Sequence, residues 1–288
     1  MLSRALVFAL GGQAVQMRLA TKNVDAHPRL VVESLQRFSE NDGSDAQELK
    51  NVNMEQYVAE VRIGSPAQTF SVLVDTGSAQ LWVPGSQCAS EVCQSRKTYS
   101  AVASKTMRIP EDQQTGHLEY GSGSVDLMLV LEDVTLAGVT IHDQHLGTSV
   151  FEGPAAGDDD NVFEDMLFDG ILGLDFSQAF GKSRYLAPLE SILQQGTLQR
   201  NIFSIYLSQD KRVPGSLVFG SVEPQYMEDE DVVWVPSYGD RLWQIQVDDF
   251  RIANRSFGFA QAVADTGSAM MSVSSRIYRE ARQLFSVR

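Results

Sequence analysis

Asp75-Thr76-Gly77-Ser78-Ala79 lies between two apolar runs, Phe70-Ser71-Val72-Leu73-Val74 before it and Leu81-Trp82-Val83-Pro84 after it. The same five letters return at Asp265-Thr266-Gly267-Ser268-Ala269, behind Ala262-Val263-Ala264 and ahead of Met270-Met271-Ser272-Val273. Each copy reads as strand, tight turn, strand, with the carboxylate at the head of the turn. A single Asp-Thr-Gly is ordinary turn chemistry, in which the carboxylate caps its own backbone. Two copies in matching apolar frames point to a duplicated unit. Such a unit, with one Asp per half, can bring two carboxylates together on a pseudo-twofold axis. Carboxylates within hydrogen-bonding distance do not readily both ionise, so the pair shares a proton and supplies an acid and a base in one pocket.

The totals limit the alternatives. The 288 residues suffice for one large domain or two lobes with real cores, and 43% hydrophobic with 21% charged residues is a globular composition. The formal charge is −14, and residues 1–50 hold six basic and six acidic groups, so the excess acid belongs to the remainder. That body repels nucleic acid and anionic membrane surfaces, and it loses self-repulsion as pH falls. No stretch approaches the ~18 apolar residues of a membrane span, so no membrane anchor is expected. With four histidines and two cysteines, no metal or cofactor is expected. Cys88 and Cys93, with four residues between them, read as a short local disulfide and hence an oxidising compartment.

Further motifs extend from the two turns. Leu49, Asn51, Gln56-Tyr57, Ile63-Gly64-Ser65-Pro66-Ala67-Gln68 and Phe70 read as a hairpin leading into the first Asp strand. Tyr120-Gly121-Ser122-Gly123-Ser124 is a glycine hairpin that lets backbone approach a bound peptide. Phe168-Asp169-Gly170-Ile171-Leu172-Gly173-Leu174 is a short apolar strand whose glycine permits a close backbone crossing. Trp234-Val235-Pro236 and Trp243-Gln244-Ile245-Gln246-Val247 are strands ahead of the second Asp, and Leu186 to Gln195 reads as a helix ended by Gly196. Together with the paired turns, these stretches resemble the pepsin-type aspartic endopeptidases over roughly residues 49–288.

The resemblance implies an all-β, bilobal fold and hydrolysis of peptide bonds by water held between Asp75 and Asp265. It implies that Thr76 and Thr266 bond across the twofold axis, that Gly77 and Gly267 leave room beside the carboxylates, and that Ser78 and Ser268 bond the outer carboxylate oxygens. Tyr120, Gly121 and Ser122 take the place of the mobile flap, with Trp82 supporting the tyrosine. Leu73, Tyr120, Phe168 and Ile171 would line the pocket before the scissile bond, which implies a preference for bulky hydrophobic side chains. Polypeptide substrates are the implied partners, and two motifs in one chain make a homodimer unnecessary, so a monomer is expected.

The same comparison divides the chain. Residues 1–16 carry one early positive charge and a brief apolar run, like a secretory leader. Residues 17–50 are propeptide-like or an exposed linker, with a helix-compatible Val31–Phe38; a family propeptide sets a lysine against the acidic pair, and Lys22 and Lys50 are the lysines here, neither in a motif that assigns it the role. Residues 51–222 form the first lobe with its flap, and 223–288 part of the second. Asn254-Arg255-Ser256 is a glycosylation sequon, usable in a secreted protein. Residues 153–165 read as a solvated acidic loop and not as a calcium site. Three departures from the family pattern stand out. Ala79 and Ala269 replace a hydroxyl residue, Leu127 and Val130 stand where glycine is usual, and only 23 residues follow Asp265. The last leaves two expectations: a piece of a longer protease, or a catalytically inactive, truncated peptide-binding protein.

Overall fold

The computed structural model describes residues 4–9, 16–19, 46–52, 56–111, 115–121, 123–157, 162–176, 179–180, 183–208, 212–223, 234–238 and 242–285. Its strands are β1 (Arg4–Ala9), β2 (Gln16–Leu19), β3 (Gln47–Val52), β4 (Gln56–Ile63), β5 (Gln68–Asp75), β6 (Leu81–Pro84), β7 (Thr115–Tyr120), β8 (Gly123–Leu136), β9 (Val139–Gly153), β10 (Gly170–Gly173), β11 (Ala179–Phe180), β12 (Ser183–Arg184), β13 (Ile202–Leu207), β14 (Gly215–Phe219), β15 (Trp234–Pro236), β16 (Gln244–Val247), β17 (Arg251–Ile252), β18 (Arg255–Ser256) and β19 (Ala260–Val263). The helices are α1 (Glu91–Gln94), α2 (Pro188–Gln195) and α3 (Ser275–Phe285).

The expected all-β architecture follows from the pattern of each strand. In β4, Val61 and Ile63 are buried while Glu60 and Arg62 are exposed, the alternation of a half-buried strand. In β5 the unbroken apolar run is buried on both faces, because β4 and β10 flank it edge to edge and cores lie on either side. Thirteen strands join in the order β15-β2-β1-β13-β14-β3-β4-β5-β10-β6-β9-β8-β7. The insertion of β10 between β5 and β6, parallel to the first and antiparallel to the second, braces the strand that ends on Asp75.

Two apolar clusters fill the interior. The larger includes Val72, Val74, Leu172, Phe203, Leu217 and Trp243, and so spans both halves of the sheet and the start of the second lobe. The smaller gathers Leu73, Ala79, Trp82, Phe163, Phe168 and Ile171 beside the first Asp turn.

Several expectations shift at their edges. The α2 helix begins at Pro188 and not at Leu186, since proline is pre-set for a first helical turn and Ala187 before it is extended. It ends where Gly196 turns left-handed at φ +63°. The apolar run read as a leader supplies β1, paired antiparallel with β13 from Arg4↔Leu207 to Ala9↔Ile202. Val31–Phe38, Lys22 and Asp158-Asp159-Asp160 lie outside the described residues. Lys50 is exposed on β3. Asn254 is exposed on the turn between β17 and β18.

Candidate active site

The two Asp-Thr-Gly turns meet face to face. Asp75 is the last residue of β5, and Gly173 of β10 pairs with it. Beyond the pairing, Gly173 N–H donates to Gln80 O (2.9 Å), Leu174 N–H to Asp75 O (2.8 Å) and Asp175 N–H to Ser78 O (2.9 Å). A Cβ on Gly173 would stand 2.7 Å from Ser78 O, so the crossing requires glycine. Asp265 comes two residues after β19, which pairs with β16.

Thr76 and Thr266 lock the turns together. Thr76 N–H donates to Thr266 Oγ1 (3.1 Å), and Thr266 N–H returns the bond to Thr76 Oγ1 (3.0 Å). Each hydroxyl then donates to the opposite strand, Thr76 to Ala264 O (2.8 Å) and Thr266 to Val74 O (2.7 Å). The four bonds repeat across a pseudo-twofold axis, and both threonines are buried, so water does not compete for them.

The carboxyls receive matching donors. Asp75 accepts from Gly77 N–H (2.9 Å) and from the Ser78 hydroxyl. Asp265 accepts from Gly267 N–H (2.9 Å) and from Ser268 Oγ (2.7 Å). The two carboxyls face each other: a Cβ placed on Gly267 would overlap Asp75 Oδ1 and lie 3.3 Å from Asp265 Oδ1. Burial pushes the Asp75 carboxyl up to about 6, against the Ser78 hydrogen bond and with help from the Asp265 charge. The halves differ in shelter: Asp75 is 6% exposed, whereas Asp265 is half-buried and Ser268 exposed. The reason is β10, which covers the Asp75 turn. Among the described residues no strand takes the corresponding place beside Asp265.

The β7–β8 hairpin closes over this pair. Trp82 Nε1–H donates to the Tyr120 hydroxyl (2.8 Å), with ring centroids 6.4 Å apart. Burial pushes the tyrosine pKa up, so its hydroxyl stays neutral. Gly121 faces open space, and Ser122 lies outside the described residues. Between hairpin and turns runs a cleft of about 820 Å³. Leu73, Phe168 and Ile171 form its apolar wall, and Asp75, Gly77, Ser78, Asp265, Gly267 and Ser268 its floor.

The family model described as eukaryotic aspartyl protease matches residues 56–287. The chain belongs to that family. It is 34% identical to pepsin B of Canis lupus familiaris over 223 residues, which is 75% of this chain and 55% of the relative. Cathepsin E-B of Xenopus laevis is also 34% identical, over 81% of this chain and 57% of the relative. Gastricsin of Oryctolagus cuniculus is 34% identical over 75% and 55%. The chain thus spans a little over half the length of these relatives.

Within that family the chain departs from the usual pattern at Leu127 and Ala79, and the structure accounts for both. Leu127 is fully buried, and the glycine that makes room for it stands on the neighbouring strand. A Cβ on Gly147 would lie 2.8 Å from Leu127 Cδ1 and 3.0 Å from Trp82 Cβ. A register shift between Asp126 and Leu127 supplies the local bend. Ala79 is fully buried among apolar side chains, where a hydroxyl would need a partner.

The acidic loop of 153–165 is not solvated throughout. Phe163, 1% exposed, stands edge-on to Trp82 at 6.0 Å and lines the cleft behind the flap. One aromatic residue in an otherwise acidic stretch was the signal available for it. Met166, Gln80 and Glu119 also line the cleft, and nothing in their local sequence marks them. Cys88 and Cys93 are bonded to each other in the loop around α1, beside Glu152. Their sulfurs are therefore not free to ligate a metal, and Glu152 faces Arg96.

Proposed function

We propose that this protein is an aspartic endopeptidase in which Asp75 and Asp265 are the catalytic carboxyls, and that it cuts beside bulky hydrophobic residues. The observation that carries the reading is the pair of carboxyls held face to face by the threonine lock at the floor of the cleft, where burial raises the Asp75 pKa. Burial favours the shared proton on Asp75, which leaves the more exposed Asp265 as the base. A water held between them gives a proton to Asp265 as its oxygen attacks the peptide carbonyl. The acid partner then protonates the departing nitrogen, and the C–N bond breaks without a covalent intermediate. Tyr120 covers the scissile region, and Leu73, Phe168 and Ile171 receive the preceding side chain, which supports the hydrophobic preference. The buried disulfide and the acidic body suit the secretory route or an acidic endolysosomal or vacuolar compartment. We assign residues 51–222 to the first lobe, 223–288 to part of the second, 17–50 to a propeptide and 1–16 to a leader.

The reading requires one proton on the pair. Hydrolysis of a hydrophobic peptide is therefore expected at acid pH, with loss of activity as pH rises through about 6, and with inhibition by a statine-type mimic of the tetrahedral state. A pH–rate profile checks it. A folded chain without activity at any pH favours the inactive peptide-binding alternative.

A second expectation concerns spacing. A Cβ on Gly77 would lie 2.6 Å from Asp265 Cγ, and one on Gly267 would overlap an Asp75 oxygen. Gly77→Ala is expected to part the carboxyls and lower kcat/KM on the order of 10- to 100-fold, as misplacements of about 1 Å do. Steady-state kinetics on the same peptide decide it, and unchanged kinetics would show that the pair tolerates separation.

A further inference from the structure

Asp175 is a fully buried carboxylate that lies outside the cleft lining, two residues beyond the end of β10. Both of its oxygens accept the backbone N–H of Leu242, at 2.9 and 3.1 Å. Leu242 belongs to the segment that opens the second lobe, and its φ of +65° is a conformation that leucine rarely adopts. The next residue, Trp243, is fully buried against Phe176 and Phe203, with ring centroids 5.0 and 5.5 Å away.

Trp243 stands in a closed ring of hydrogen bonds between the two turns. Leu174 N–H donates to Asp75 O (2.8 Å), and Trp243 Nε1–H donates to Leu174 O (2.8 Å). Ala264 N–H donates to Trp243 O (3.0 Å), and Thr76 Oγ1 donates to Ala264 O (2.8 Å), which returns the ring to the residue after Asp75. The threonine lock fixes the turns where they touch. It does not fix the direction from which β19 delivers Asp265, because among the described residues β19 pairs with β16 alone. The start of β16 follows directly on Leu242 and Trp243.

We infer that Asp175 is a positioning residue for the Asp75–Asp265 pair: by gripping Leu242 it seats Trp243 and so sets where the second Asp turn stands against the first. The inference rests on the dyad reading above for its catalytic consequence, but the geometry of the pair can be read without catalysis. The groups facing Asp75 are the Asp265 carboxyl, the Tyr120 and Ser78 hydroxyls and Gly77 N–H, so a displaced Asp265 turn changes its surroundings directly.

The test is a carbon-13 NMR titration of the Asp carboxyls in the full chain, with peptide cleavage measured in parallel. Asp175→Ala is expected to lower the Asp75 midpoint from about 6 toward the ordinary carboxylate range, as the turns part and water enters. It should also reduce kcat on the order of 10- to 100-fold with KM changed little. Asp175→Asn keeps a carbonyl oxygen for Leu242 N–H and should recover most of both. Trp243→Phe removes the bond to Leu174 while keeping a ring, and should move both readouts in the same direction. If Asp175→Ala does not fold, Trp243→Phe and Asp175→Asn decide the matter. Folded variants with an unmoved Asp75 midpoint and unmoved kcat overturn the inference. A wild-type chain that cleaves nothing, yet whose Asp75 midpoint falls in Asp175→Ala, supports the positioning role and removes the endopeptidase reading instead.

Discussion

Asp75→Asn is expected to reduce peptide hydrolysis by about 10³- to 10⁴-fold, the scale of removing a positioned acid–base group. The variant should still fold, because an amide oxygen can keep accepting from Gly77 N–H and the threonine lock does not involve this side chain. Asp265→Asn should act alike, since either change takes away one half of an acid–base couple. A stability measurement gives a second, independent readout. The Asp75 carboxyl has an ordinary value of 3.8 and is pushed up to about 6 in the folded chain. Between those values the folded form holds the proton more tightly than the unfolded one. Its contribution to stability is therefore full below about pH 4 and lost as pH rises through about 6. The loss is on the order of 3 kcal/mol. Asparagine does not titrate, so the variant's urea-unfolding curve should lack this fall. Comparison of wild type and variant at pH 4 and pH 7 reads the titration of the pair, because carboxylates remote from it cancel. Full activity in Asp75→Asn, or an unchanged pH dependence of its stability, would remove the dyad.

Much of this site was legible because its signals are local. Asp75 and Asp265 carry the same five letters in similar apolar frames, and the Ile171-Leu172-Gly173 run has the composition of a strand threaded through a tight crossing. Tyr120 and its glycines mark a hairpin by turn chemistry alone. What was not legible are contacts made by single polar residues across long sequence distances. Asp175 bonds to Leu242, 67 residues away, and neither residue lies in a periodic pattern. Gly147 makes room for Leu127 from the partner strand, a contact that the sequence around neither residue announces. The burial of Phe163 is likewise a tertiary outcome, decided by what packs against it, whereas the helix start at Pro188 follows from the proline itself.

The largest effect on stability is expected at another such contact. Arg96 is nearly buried and forms an ion pair with Glu152, which is fully buried. The Arg96 guanidinium also donates to Asp169 O (2.9 Å), Phe168 O (3.4 Å) and Val92 O (3.4 Å), three backbone oxygens from two separate segments. Burial lowers the Arg96 pKa and the Asp169 charge raises it, but arginine stays charged throughout. Glu152 is held further by the Ser149 hydroxyl (2.7 Å). Arg96→Met keeps most of the stem but strands the carboxylate in the interior, at a cost of about 3–5 kcal/mol. Urea denaturation near neutral pH measures it. Glu152→Gln alone leaves the guanidinium without its ion-pair partner and with only the Asp169 charge nearby, whereas Arg96→Met with Glu152→Gln removes both members of the pair and should be less destabilised than the sum of the single changes. The clamp also reaches the cleft, since Phe168 is part of the wall and Arg96 holds its carbonyl. A double variant that regains stability but binds a hydrophobic peptide more weakly would separate the two effects: charge pairing for the fold, backbone anchoring for the pocket. If Arg96→Met costs under about 1 kcal/mol, as an exposed pair would, the ion pair is hydrated and the clamp does not hold the wall.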